Sequence, residues 1–171
     1  MPAKVADFLK KWRPEVQNAE TLLSASLAQA KAEDKKVLIQ VGTPYCGWCR
    51  VLSRFVDANK EIFAKDYVHL KIDTQRMLHG KEITERYRPS DKLGVPWMVI
   101  LDDTGKSLIN SLGPQGNTGY PSEPSEIDHF LTMLTTTRNK ITNSDLFVLR
   151  ERLSAAHEVR MRESNKAAAA N

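Results

Sequence analysis

The sequence predicts an α/β fold: a central mixed sheet of about four strands flanked by helices, with further helices at the N- and C-terminal ends. Three stretches predict it. Val37 to Val41 is apolar at four of five positions and mostly β-branched, the pattern of a buried strand. Gly42, Thr43 and Pro44 break it, and Val51, Leu52, Phe55, Val56, Ile62 and Phe63 then recur at helical spacing. Tyr67 to Asp73 alternates, with Val68, Leu70 and Ile72 facing one way and His69 and Lys71 the other. A strand–helix–strand unit implies parallel strands joined by a right-handed crossover. The strongly apolar Trp97–Leu101, the turn Asp102-Asp103-Thr104-Gly105 and the strand Lys106–Leu112 then form a hairpin, which adds an antiparallel edge.

The remaining elements follow in order. Residues 1–17 read as a short helix carrying Phe8, Leu9 and Trp12 and stopping near Pro14. Asn18 is an N-cap for a helix with Leu22, Leu23, Ala25 and Leu27 that runs to about Glu33. Asp34-Lys35-Lys36 turns the chain into the first strand. The helix after the two cysteines ends near Lys65-Asp66. Residues 74–93 are polar and irregular, with a helical turn or two around Glu82–Tyr87. Gly113–Pro124 holds three Gly and three Pro and reads as a loop. Ser125 with Asp128 forms a capping box, and Ile127, Phe130, Leu131 and Leu134 give the next helix its buried face. Thr142 with Asp145 forms a second box and opens a last helix with Leu146, Leu149, Leu153 and Ala156 on one side. Residues 165–171, with four consecutive Ala, are expected to fray. The organisation is therefore a helical extension over 1–34, a core over 35–139, and a C-terminal helix and tail over 140–171, together one compact domain.

Composition excludes several classes. At 171 residues, 41% hydrophobic and 27% charged, the chain suits one soluble domain. No apolar run approaches the ~20 residues of a membrane span, so no membrane insertion is expected. The net charge of +4 is too mild and dispersed for nucleic acid. The first residues hold no apolar stretch of signal-peptide length, which places the chain in the cytoplasm as written. A trimmed mature form would read the same, and would then be periplasmic or exported.

The two cysteines, Cys46 and Cys49, are the chain's full complement, so there is no disulfide framework and no four-cysteine zinc site. They fall where the first strand hands over to a helix. The unpaired N–H groups at a helix N-terminus carry about half a positive charge and favour a thiolate over a thiol. A free cysteine has a pKa of about 8.5, which such surroundings lower to between ~3.5 and ~7.5. Two intervening residues let Cys49 return to Cys46, so the pair can cycle between dithiol and disulfide without refolding. A disulfide closing so short a loop restrains little of the unfolded chain, so stability is a poor reason for it.

Cys-Gly-Trp-Cys after the first strand, with Gly94-Val95-Pro96 before the third, resembles the thioredoxin superfamily over residues 35–138. It is most similar to bacterial thioredoxin-like domains with an aromatic residue inside the CXXC. The resemblance implies a thioredoxin-like fold, with Cys46 as the attacking thiol, Cys49 as the buried resolving thiol, and Pro96 as a cis-proline lying against the pair. It leaves the backbone of Val95 free to pair with a substrate strand. The sequence departs from the family in three places. Gln40 stands where the family has a buried acid, His69 aligns with the usual lysine on the next strand, and Trp48 replaces the proline of thioredoxins proper. His69 becomes a proton-transfer candidate, since Gln40 cannot accept a proton. Tyr45, Trp48 and Trp97 are candidates for an apolar substrate platform. The Gly113–Tyr120 loop is expected to form a rim beside Pro96.

The function expected is thiol–disulfide exchange on protein disulfides, with an upstream thiol-redox protein as electron donor and no cofactor or resident metal. Two alternatives stand beside it. One is a redox-switched binding module, with Trp48, Trp97 and the 113–124 loop holding a partner. The other is a metal or iron–sulfur cluster bridging two chains.

Overall fold

The computed structural model describes residues 16–90 and 93–169. The helix expected over 1–17, with Phe8, Leu9 and Trp12, lies almost wholly outside them. The described elements are α1 (Ala19–Glu33), β1 (Lys36–Gly42), α2 (Gly47–Ala58), α3 (Lys60–Phe63), β2 (Tyr67–Asp73), α4 (Gly80–Tyr87), β3 (Trp97–Leu101), β4 (Ser107–Asn110), β5 (Leu112–Gly113), β6 (Gly116–Asn117), α5 (Pro124–Thr137) and α6 (Asn143–Ala169). The main sheet has the order β2-β1-β3-β4. β1 pairs parallel with β2 and antiparallel with β3, and β3 pairs antiparallel with β4. The expected mixed, thioredoxin-like sheet is therefore present. The long loop after β4 carries the small β5–β6 hairpin.

β1 is the central strand, and its alternation divides the core in two. Val37, Ile39 and Val41 join Leu70, Ile72, Trp97, Val99 and Leu101 on the face covered by α1 and α4. Leu38 joins Met98 and Ile100 on the other face, under α2, α5 and α6. Successive strand side chains point to opposite faces, so Trp97 and Met98 are separated by one peptide unit and by the whole sheet.

Local chemistry sets the element ends. The Asn18 side chain accepts hydrogen bonds from the N–H groups of Glu20 (2.9 Å) and Thr21 (3.2 Å), which caps α1 as expected. The β3–β4 turn is held by Asp102 Oδ1, which accepts from the backbone N–H of Thr104 and of Lys106, both at 2.9 Å. Gly105 supplies the positive φ of +88°. The Thr142–Asp145 box forms, with N–H to side-chain bonds in both directions. The other box differs from expectation: Glu123 caps α5 and pairs with Glu126, while Ser125 bonds to Gln115. α6 also continues through Ala169, so the fraying expected over 165–171 is corrected for 165–169, the last two residues lying outside the described ones. Alanine is the strongest helix former, and Ala167–Ala169 extend the helix. Leu146, Leu149 and Leu153 pack inward along α6, whereas Ala156 is exposed.

One buried carboxylate ties the C-terminal helices to the sheet. Asp66 is 1% exposed and lies just before β2. It accepts from the backbone N–H groups of Asn139 (2.9 Å), Lys140 (2.8 Å) and Ile141 (2.8 Å) in the α5–α6 connection. Removing it strips three backbone donors of this partner and leaves the Ile141 N–H buried without one. Asp66→Ala is expected to cost about 3 kcal/mol in urea unfolding; a loss under about 1 kcal/mol contradicts this role.

Candidate redox site

The site begins at the end of β1. Gly42 closes the strand, and a Cβ there would stand 3.1 Å from Cys49 Sγ, so the close approach of helix and strand leaves little room for a side chain. The chain turns through Thr43–Cys46, and Cys46 becomes the N-cap of α2 with extended φ and ψ of −77° and 105°. Its sulfur accepts the N–H of Cys49 at 3.0 Å. That N–H is one of those the helix leaves unpaired, so the sulfur occupies the position usually held by a Ser or Asp oxygen. Cys46 and Cys49 are joined as a disulfide. Cys46 is partly exposed, whereas Cys49 is only 7% exposed. An incoming group therefore meets Cys46 first.

The Val95–Pro96 bond is cis, and the Val95 carbonyl oxygen lies 3.7 Å from Cys46 Sγ. Two residues not singled out in the sequence hold this segment. The Asn117 amide donates to the carbonyls of Leu93 and Pro96, both at 2.9 Å, and its Oδ1 accepts from Ser111 Oγ at 2.7 Å. Ser111 Oγ also accepts the N–H of Met98 at 2.9 Å. The Gly113–Tyr120 loop therefore borders Pro96, as the resemblance implied, with Asn117 as its anchor. The only local sign of this was an Asn within a Gly/Pro-rich stretch, which equally marks a turn.

Trp48 is 51% exposed and Tyr45 85% exposed. The Trp48 ring stacks on Tyr120 at 5.8 Å between centroids. Tyr120 meets Phe55 edge-on, and Phe55 contacts Phe63 and Phe130, so the half-exposed indole is rooted in the core. The Arg160 guanidinium of α6 lies 5.8 Å from the Trp48 ring centroid. Arg160 is itself held by the Ser122 carbonyl (3.0 Å) and by Glu123 (2.5 Å). Trp97 is 0% exposed and packs with Val41, Val99 and Ile83 on the α1 side of the sheet. Its expected place in a substrate platform, or in a partner-binding surface, is therefore corrected.

Gln40 replaces an acid in a satisfied network. Its Nε2 donates to the Cys49 carbonyl (3.2 Å) and to Ser53 Oγ (3.0 Å). Its Oε1 accepts from His69 Nε2 at 3.1 Å. This arrangement assigns the ring proton to Nε2. Gln40 thus stands between His69 and the Cys49 backbone, and an amide does not relay a proton. His69 borders a different groove from Cys49, beside Val56, Asp57 and Phe63. His69 as a proton-transfer group is accordingly corrected to a part-buried, neutral hydrogen-bond donor. Burial first, then the Lys71 charge, lowers its pKa to about 4. Among the described residues, no group of three or more His, Cys, Asp or Glu side chains is placed to hold a metal ion, and no helix is long and apolar enough to cross a membrane.

A family model described as thioredoxin-like matches residues 18–103, half of the chain. The chain belongs to the thioredoxin-like family. Solved structures with this fold include a disulphide isomerase from Xylella fastidiosa Temecula1, at 24% identity and a TM-score of 0.57, covering 70% of this chain and 94% of that one. A redox protein from Chlamydomonas reinhardtii matches at 19% identity and a TM-score of 0.53, over 71% of this chain and 34% of that one. At these identities the likeness speaks for the fold. No curated protein matches the chain. The thioredoxin-like fold together with its proximal cysteine pair supports a thiol–disulfide redox function.

The His69 shift has a testable sign. Its folded pKa of about 4 lies below the ordinary 6.5, so the unfolded chain binds the extra proton between these values. Stability from this group is complete above 6.5 and declines as pH falls toward 4, by on the order of 3 kcal/mol. His69→Gln cannot titrate there. From pH 7 to pH 4 the wild type is expected to lose about that much more unfolding free energy than the variant; parallel profiles contradict the assignment.

Proposed function

We propose that this protein is a thiol–disulfide oxidoreductase acting on protein disulfides through a Cys46/Cys49 dithiol–disulfide cycle. The observation that carries the reading is the position of the Cys46 sulfur: at a helix N-terminus, accepting the Cys49 N–H at 3.0 Å, and the more exposed member of the pair. In the reduced protein the same N–H and helix dipole favour the Cys46 thiolate. Val95, with its carbonyl beside that sulfur, offers backbone for a substrate strand. Trp48 and Tyr45 supply exposed aromatic surface next to it.

In the cycle, the Cys46 thiolate attacks one sulfur of the substrate disulfide. A Cys46–substrate bond forms, the substrate S–S bond breaks, and the released substrate thiolate takes up a proton. Cys49, deprotonated, then attacks Cys46 Sγ. The intramolecular disulfide forms, the Cys46–substrate bond breaks, and the second substrate sulfur leaves as a thiolate that takes up the proton Cys49 gave up. Two electrons pass from the protein to the substrate, and an upstream dithiol protein returns them. Gln40 cannot accept the Cys49 proton, and His69 borders another groove. The open groove of 410 Å³ beside Cys49 supports solvent, or the leaving substrate thiolate, as the acceptor.

Insulin reduction with dithiothreitol as electron source tests the reading. The wild type is expected to precipitate the insulin B chain well above the uncatalysed rate. Cys46→Ser should be inactive, and Cys49→Ser should accumulate a substrate adduct that reductant releases. Activity surviving in Cys46→Ser contradicts the assignment. Capture of the same partner with thiols blocked supports a binding module instead.

A further inference from the structure

Two open grooves flank the disulfide and share Thr43. One, of 410 Å³, has Cys49 in its wall together with Arg50, Lys71, Asp73 and Arg76. The other, also of 410 Å³, lies beside Val95 and is bordered by Lys81, Glu85 and Arg88. The walls thus carry Arg50, Lys71, Arg76, Lys81 and Arg88 against Asp73 and Glu85. The excess sits next to the reacting sulfurs, although the chain as a whole is only mildly basic.

Some of these charges have partners. Lys71 pairs with Asp57 at 3.1 Å, and Lys81 with Glu85 at 3.6 Å. Asp73 Oδ1 caps the N–H groups of Gln75 and Arg76. Arg88 donates to the Gly94 carbonyl at 3.3 Å. Arg50 and Arg76 differ: both are exposed, and among the described residues neither forms an ion pair. The opposite flank of the site has another character. There Trp48 stacks on Tyr120, and the nearby Arg160 is paired with Glu123 at 2.5 Å. The site is therefore cationic on its Thr43 side and aromatic, with its cation neutralised, on its Trp48 side.

We infer that this face selects disulfide-bearing polypeptide segments with Asp or Glu within a few residues of the disulfide, and that Arg50 and Arg76 determine the preference. The inference rests on the oxidoreductase reading. Attack by Cys46 brings a substrate sulfur into bonding distance, and each extended residue spans ~3.3 Å, so residues two or three positions away come within reach of these grooves. Carboxylates there meet two guanidiniums that form no ion pair among the described residues, while lysines meet like charge. The charges are exposed, so the effect acts largely through encounter and weakens with salt over a Debye length of about 10 Å at 0.1 M.

The test uses the full chain, reduced with dithiothreitol and desalted, so that its own dithiol supplies the two electrons. Two peptides with an internal cystine are compared, identical except for Glu or Lys beside the cysteines. Each rate is divided by that for hydroxyethyl disulfide with the same protein, so a general change in cysteine reactivity cancels. The wild type should reduce the Glu peptide about tenfold faster than the Lys peptide at low salt, and the ratio should shrink toward one at about 0.5 M salt. Arg50→Glu with Arg76→Glu should abolish or invert the ratio, and Arg50→Lys with Arg76→Lys should retain it. Equal normalised rates in the wild type, or a ratio that survives charge reversal, would overturn the selectivity alone. Failure to reduce any of the three disulfides would overturn the oxidoreductase reading and the selectivity with it.

Discussion

The structure is built around a sulfur acting as a helix cap. Cys46 ends the turn from β1, and its Sγ takes the N–H of Cys49, which α2 would otherwise leave without a partner. An oxygen-bearing cap would hold the helix as well or better. A sulfur in that position is both a structural partner and a nucleophile, and the N–H that orients it also favours its anion. The neighbouring features serve that placement. β1 is buried on both faces between β2 and β3, Gly42 gives Cys49 room beneath the strand end, and Asn117 and Ser111 fasten the Pro96 segment against the pair.

Beneath the cysteines the polar groups are neutral and mutually satisfied. Gln40 uses both amide hydrogens and its carbonyl within a network of Ser53, the Cys49 carbonyl and His69. A carboxylate at this depth would carry a desolvation cost and a titration of its own. The amide carries neither, so the buried side of the pair is anchored without a protein base. In the cycle we propose, this makes a division of labour: protein groups position the sulfurs, and proton exchange at Cys49 is left to the groove that borders it.

Much of this was legible in the sequence because its signals are local. β-branched runs, the change from strand to helical period, the CXXC spacing and the Val95-Pro96 pair each lie within one element or turn. What was not legible depends on choices between elements. β3 is apolar on both faces, so alternation separates Trp97 from Met98 without saying which of them faces α2. Asn117, Ser111 and Arg160 act on residues distant in the chain, where no periodicity reports a contact. The α5 box was misplaced because Ser125…Asp128 and Glu123…Glu126 share one spacing, and the Pro124 that starts the helix selects the earlier pair. His69 had a polar strand position beside a missing acid, which fits a proton carrier and a hydrogen-bond donor equally well until Gln40 is seen between it and the cysteines.

In the reduced protein we propose that Cys46 is the activated sulfur and Cys49 the shielded one. Alkylation of the reduced protein with iodoacetamide across a range of pH, with the label located by mass spectrometry, distinguishes the two. Cys46 is expected to react first, with an apparent pKa below the ~8.5 of a free cysteine. Preferential labelling of Cys49, or a Cys46 that titrates at or above that value, would contradict the account.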